Sequence, residues 1–476
     1  MVATGGRSVG LGVEGGANYP EMAQNLDLYC LGIDFGTSGA RAVLIDGDRQ
    51  PCWSYHLSFN ALLDFRAVQN AGPGGDFTGL PGSGPVRDAG TAQNHLKTWE
   101  TSLWQILAAI PADFGPRLGA IALNGTSATA ILCDDRGQPV TDALLYNDDR
   151  GKAVLGQLAA IAPPGHRVHS STSTLAKLLW WQQQPDWSRW GGINALHLLH
   201  QADWLAFLLH GKLGYSDYHN ALKLGYDVDK REYPDWLAQN PQLSPLLPQV
   251  LAPGAMVGSL RSELAQTYGL NPHTRICAGT TDSIAAFLAS GARSPGQGVT
   301  SLGSTLVIKL LSRQPVEDNA RGIYSHRLGD LWLVGGASNT GGAVLQQFFS
   351  PEDLTRLSQQ LNPAQPSPLD YYPLTQPGER FPFNDPQLQP RLEPRPEADC
   401  DFLQGLLESM ARIEAQGYAL LGDRGADALT QVYTAGGGAQ NGAWMAIRQR
   451  LLGVPVLRSP QTEAAYGTAL LAQGGL

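Results

Sequence analysis

At 476 residues the chain is longer than one hydrophobic core usually serves, which predicts two large domains with a cleft between them. Apolar residues at 43% and charged residues at 16% describe a soluble globular chain and exclude the disordered, fibrous and coiled-coil classes. The net charge of −9, with no Lys/Arg block, argues against broad binding to nucleic acid or an anionic membrane, although local donors can still hold an anionic nucleotide.

Residues 1–27 are Gly-rich and aperiodic. They read as a flexible leader, a weak organelle-targeting segment or a start codon placed too early, with Met22 an alternative start. Ordered pattern begins at Leu28 and predicts a meander of three strands: LYCLGIDF, ARAVLID after a Gly-Thr-Ser-Gly turn, then WSYHLSF. Residues 70–90 are too rich in Gly and Pro for regular structure and read as a long surface loop. Helical periodicity over 92–110, a strand LGAIALN, the polar stretch GTSAT and a short strand AILCD give an α/β alternation.

Helices are expected over 173–184 and 201–210, and His197 and His200 read as packing residues on one helix face rather than as metal ligands. The strand RICAG runs into TTDS and a further helix, which places the domain boundary near Gly279. The second half repeats the strand, small-residue turn and strand in LGSTLVIKL, then shows a Pro-rich loop over 363–396 and a long helix from Asp401 to Leu421. It ends on the strand QVYTAGGG and two helices. No run approaches the roughly 18 apolar residues of a membrane helix, and the start lacks a secretory signal. Cys30, Cys52, Cys133, Cys277 and Cys400 show no zinc spacing, so reduced thiols in a cytoplasmic chain are expected.

Four segments carry chemistry. In Gly32-Ile33-Asp34-Phe35-Gly36-Thr37-Ser38-Gly39 a buried strand delivers one carboxylate and then a turn. Its glycines free backbone N–H groups for an anion, and Thr37 and Ser38 add hydroxyl donors. Asp34 is a hard oxygen ligand suited to Mg²⁺, directly or through water. Gly303-Ser304-Thr305 repeats this turn, and two such turns can clamp a triphosphate. Gly436, Gly437, Gly438 and Asn441 join a strand to a helix, where backbone can approach a flat ligand and Asn441 a base or ribose. Asp282, in Gly279-Thr280-Thr281-Asp282-Ser283, reads either as a helix N-cap or as the base that takes a proton from an attacking hydroxyl.

Other motifs fail on order or context. Asp34-Phe35-Gly36 lacks the HRD segment of protein kinases, and Lys309 follows it where that pattern puts a lysine before it. The GxGxxG of Gly10, Gly12 and Gly15 has no flanking strand and helix, and no GxxxxGK[ST] occurs.

Taken in order from Leu28 to the C-terminus, these segments resemble the FGGY carbohydrate kinase family. Further matches are Tyr146-Asn147-Asp148-Asp149-Arg150, Thr174 to Trp180, and Thr462 to Gly467. The resemblance implies two ribonuclease-H-like α/β domains around a cleft, of the actin and hexokinase type. Residues 28–279 would hold the sugar and 280–476 the adenosine. It implies ATP and Mg²⁺ as cofactors and a small sugar as acceptor. Asp282 and Asp34 would be catalytic, and Asp34, Thr37, Thr126, Ser127, Asp148 and Asp282 would face the substrate. Thr37, Ser38, Gly303, Ser304, Thr305, Gly436, Gly437, Gly438 and Asn441 would hold the nucleotide.

Xylulokinases carry Gly-Gln-Met-His, and glycerol kinases an Arg-Glu pair, where this chain reads Asn124-Gly125-Thr126-Ser127-Ala128-Thr129. Those small hydroxyl residues look more like the ribulokinase groups and a short xylulokinase-like plant and cyanobacterial branch, which implies D-ribulose. D-xylulose or another polyol stays open as acceptor. So does an actin- or chaperone-like ATPase switch, which would share both phosphate turns but need no sugar pocket.

Overall fold

The computed structural model describes residues 28–60 and 95–474, so the expected leader and the 70–90 loop lie outside the described residues. Among the described residues eleven strands precede residue 282: β1 (Tyr29–Phe35), β2 (Gly39–Ile45), β3 (Pro51–Ser58), β4 (Leu118–Gly125), β5 (Ala130–Asp134), β6 (Leu196–His200), β7 (Tyr215–Asp217), β8 (Gln249–Leu251), β9 (Met256–Ser259), β10 (Arg275–Cys277) and β11 (Thr280–Thr281). Six follow: β12 (Gln297–Leu302), β13 (Leu306–Ser312), β14 (Tyr324–Leu328), β15 (Leu331–Ser338), β16 (Gln431–Ala435) and β17 (Val456–Arg458).

The two main sheets share one plan. The first runs β3-β2-β1-β4-β10-β9 and the second β14-β15-β13-β12-β16-β17. In each, an antiparallel hairpin (β1–β2, β12–β13) continues through its parallel neighbours (β4 and β10, β16 and β17). This is the ribonuclease-H-like arrangement, present twice. β1 and β4 are almost wholly buried and read as continuous apolar runs, as a strand covered on both faces should. The three-stranded meander and the long helix, Asp399–Asp423, form where the pattern predicts them.

Packing crosses the expected boundary at Gly279. β11 pairs with β4 of the first sheet, and the last helix, Ala464–Ala472, packs on β1, β2 and β4 and on the helix Asp282–Ala289. Gly32 makes this close approach possible, since a Cβ there would stand 2.1 Å from the carbonyl oxygen of Ala465. Asn124 Nδ2 donates to Thr468 Oγ1 at 2.6 Å across the same contact. The helix expected to carry His197 and His200 is instead β6, which pairs antiparallel with β5. His197 bonds Asp135, and His200 bonds Asp203 at the start of the helix Gln201–His210.

Behind the second sheet, Arg448 lies fully buried in a two-pronged pair with Glu414, at 2.6 and 2.7 Å, and also donates to Thr434 Oγ1. Thr300 Oγ1 donates to Glu414 as well, so two strands and two helices share one charge network. Glu414→Ala strands a buried guanidinium, and a loss of about 3–5 kcal/mol is expected. Chemical denaturation would read it as a lowered midpoint.

Candidate active site

Asp34 is the penultimate residue of β1, where the parallel register with β4 sets it beside Asn124. Its side chain is 7% exposed, and among the described residues Oδ1 has no hydrogen-bond partner and the nearest cation, Arg41 Nη1, is 3.9 Å away. Burial pushes this carboxyl up to about 6, helped by the negative charge of Asp282 and opposed by Arg41. Thr37 and Ser38 stand exposed on the turn that follows, closed by Gly36 N–H donating to the carbonyl of Gly39.

Asp282 is the first residue of its helix. Thr281, not Asp282, holds the N-cap position, so the expected capping role falls away. Asp282 Oδ1 accepts from the Ser283 N–H at 2.7 Å. Burial raises this carboxyl above the usual carboxylate range, while the Ser283 N–H, Lys309 and Lys223 pull it back down. Lys309, on β13, donates from Nζ to the carbonyl of Ser283 at 2.6 Å and so ties the second sheet to the start of that helix. Two carboxylates and two amines therefore meet where the two halves join.

The polar stretch after β4 splits by role. Thr126 is 6% exposed and its hydroxyl is engaged by Gln201 Oε1 and Thr129 Oγ1, which makes it a brace for the loop. Ser127 is half-buried and has no hydrogen-bond partner among the described residues, and Ala128 takes a left-handed φ of 66° beside it. Asp148 is held by Arg150, whose Nη2 lies 2.8 Å from Oδ2 and whose guanidinium covers Trp180. Buried Lys177 donates to the carbonyls of Ala128 and Leu145 and thereby fixes the Ser127 and Asp148 segments together.

The second turn and the triple-glycine segment surround one cavity of about 710 Å³. Gly303, Ser304, Gly437, Gly438 and Asn441 line it, and the helix Gly342–Gln346 begins on the turn, with Gly342 N–H donating to Gly303. Gly436 sits at φ 84°, and a Cβ there would strike the Leu302 carbonyl at 2.6 Å. Asn441 caps the helix Gly442–Leu452 through Trp444 N–H and donates to Ser358 Oγ at 2.8 Å, so much of its amide is spent on structure. Thr305 is half-buried at the end of the turn.

A dication such as Mg²⁺ fits Asp34. One buried carboxylate oxygen with no partner among the described residues, next to a turn of small residues, is the sparse donor set used by an ion that keeps its waters. Sequence reasoning missed Lys177, Lys223 and Lys309. A charged residue inside an apolar run, as in TLAKLLWW and LVIKLL, is the signal that could have found two of them.

Residues 86–289 match the N-terminal domain of the FGGY family of carbohydrate kinases, and residues 298–474 match its C-terminal domain. Xylulose kinase of Lactococcus lactis is 24% identical over 294 residues, 59% of this chain and 52% of that protein's length, so that match spans about half of the relative. Xylulose kinase of Bacillus subtilis is 23% identical over 94% of this chain and 88% of its own length. Ribulokinase of Shouchella clausii is 24% identical over 61% of this chain and 54% of its own. A solved structure described as a xyloylose kinase from Brucella ovis superposes with a TM-score of 0.75 at 23% identity, covering 94% of this chain and 91% of that one. With both domains matched in order on a doubled ribonuclease-H-like frame, the chain belongs to the FGGY family of carbohydrate kinases.

Proposed function

We propose that this chain transfers the γ-phosphoryl group of MgATP to a hydroxyl of a small ketopentose, D-ribulose before others. The observation that carries the reading is the placement of Asp282, a partly buried carboxylate at the start of the helix that Lys309 ties to the second sheet, within electrostatic reach of Asp34 and Lys223. Asp282 accepts the proton of the attacking hydroxyl, and its raised pKa brings it closer to the working pH of a base. The turns at Thr37 and Ser304 hold phosphate oxygens, and the 710 Å³ cavity takes the nucleoside. Phosphoryl transfer asks mostly for positioning and charge stabilisation, which fixed backbone donors supply without reorganising. Asp34 would hold Mg²⁺, which neutralises charge on the phosphates when bound.

Support for D-ribulose is local. Ser127 offers a free hydroxyl where xylulokinases place Met-His, and Lys177 holds that loop against the Asp148 segment. D-xylulose is the second reading, favoured by the names of the relatives in Lactococcus and Bacillus. An ADP-release assay across ketopentoses, aldoses and glycerol decides between them. D-ribulose is expected to give the highest kcat/KM, and a clear preference for D-xylulose would overturn the choice.

A further inference from the structure

Buried lysines need an acceptor, because an ammonium taken out of water loses its hydration unless something replaces it. Three lysines are buried or half-buried among the described residues: Lys177, Lys223 and Lys309. Lys177 has two carbonyls and Lys309 has one. Lys223 has no hydrogen-bond or ion-pair partner among the described residues. Its place in the fold is nonetheless firmly set. Asp217 caps the helix Tyr218–Ala221 through the N–H groups of His219 and Asn220. Lys223 sits one turn further on, between buried Leu222 and Leu224.

The helix is pinned through the two ring nitrogens of His219. His219 Nε2 donates to the Arg327 carbonyl at 2.6 Å, which leaves Nδ1 to accept from Thr280 Oγ1 at 2.8 Å. Thr280 stands two residues before Asp282, and Arg327 follows His326 on β14 of the second sheet. Lys223 lies within electrostatic reach of Asp282, of His326 and of Lys177, which anchors the Ser127 and Asp148 segments. The His326 imidazole likewise has no hydrogen-bond partner among the described residues. A half-buried ammonium with no partner among the described residues thus lies near the proposed base and near Lys177, which holds the Ser127 and Asp148 segments.

We infer that Lys223 is a substrate-binding residue whose ammonium takes an oxygen of the polyhydroxy acceptor away from the hydroxyl that is phosphorylated, with His326 facing the same oxygen-rich end. The inference rests on the sugar-kinase reading. Such a contact exists before and during transfer, so its loss should appear in KM for the sugar rather than in kcat at a pH well above the Asp282 pKa, where the base stays ionised with or without Lys223.

The test compares Lys223→Met and Lys223→Arg with the unaltered protein, using ADP release for turnover and calorimetry for MgADP binding. Lys223→Met is expected to raise the sugar KM roughly 10- to 100-fold, the scale of a hydrogen bond to a charged group. Arg keeps the charge and should recover part of this, while MgADP affinity and melting temperature stay close to the starting values. A sugar KM within about 2-fold of the starting value, or a defect confined to nucleotide, would overturn the inference. If the unaltered protein neither binds nor phosphorylates any sugar of the panel, the sugar-kinase reading itself falls. If it does both and Lys223→Met does so equally well, only the assignment of Lys223 falls.

Discussion

Asp282→Asn is expected to lower turnover roughly 10²- to 10⁴-fold while leaving the fold and nucleotide affinity intact. The amide keeps an oxygen where Asp282 Oδ1 accepts from the Ser283 N–H, and the helix start does not depend on the carboxylate, because Thr281 is the N-cap. Only the capacity to take a proton is lost. The pH profile gives a second readout. Burial raises the Asp282 pKa, so kcat/KM of the unaltered protein should fall as pH drops through a value above the ordinary 3.8, where the base becomes protonated. The residual rate of the Asn variant should lack that limb. A variant that melts lower yet phosphorylates sugar at a near-normal rate would make Asp282 structural. Asp148, already held by Arg150, would then be the carboxylate to examine.

Much of this site is legible in the sequence because its parts are local. A strand that ends in Asp and a small-residue turn can be read without knowing what lies opposite, and so can three glycines between a strand and a helix. The doubling is legible for the same reason, since FGTSGARAVLID and LGSTLVIKL each carry strand, turn and strand. What could not be read is set by contacts far apart in the chain. The run LHLLH is too short for its period to separate strand from helix, and it is a strand because β5, more than sixty residues earlier, pairs with it. The final helix belongs with the first sheet because Gly32 leaves room for it. The amines around Asp282 come from β13 and from the turn after His219, and no spacing rule links Lys223 or Lys309 to Asp282.

Thr126 and Asn441 show a related limit. Both are ligand candidates by residue type and position, and both spend their polar groups on neighbours that sequence does not reveal. Thr126 is tied to Gln201, and Asn441 to Ser358. Residue type and position in a motif identify where polar groups gather. Which of them remain free for a ligand depends on the hydrogen bonds each makes in the fold, and among the described residues Thr126 has its hydroxyl engaged while Ser127 has no partner.

Asp34→Ala is expected to reduce turnover by roughly 10³-fold or more, the scale on which phosphoryl transfer loses a group that stabilises charge. Asp34→Asn adds a test that activity alone cannot give. The folded carboxyl, at about 6, lies above its ordinary value of 3.8, so the ionised form is disfavoured in the folded protein. The sign follows directly. Below about pH 4 the group is protonated in both states and costs nothing. Between about 4 and 6 the unfolded chain ionises first, and above 6 the penalty is complete, of order 2–3 kcal/mol. Without nucleotide or metal, Asp34→Asn should therefore melt higher than the unaltered protein at pH 8, with the gain shrinking toward pH 4. A residue kept at a cost to stability and needed for turnover is one whose charge awaits a partner. Turnover near the starting level at ordinary Mg²⁺ would refute the assignment. An Asn variant that melts lower at pH 8 would show the carboxylate already satisfied within the fold, by Arg41 at 3.9 Å, and would remove the reason to place a cation there.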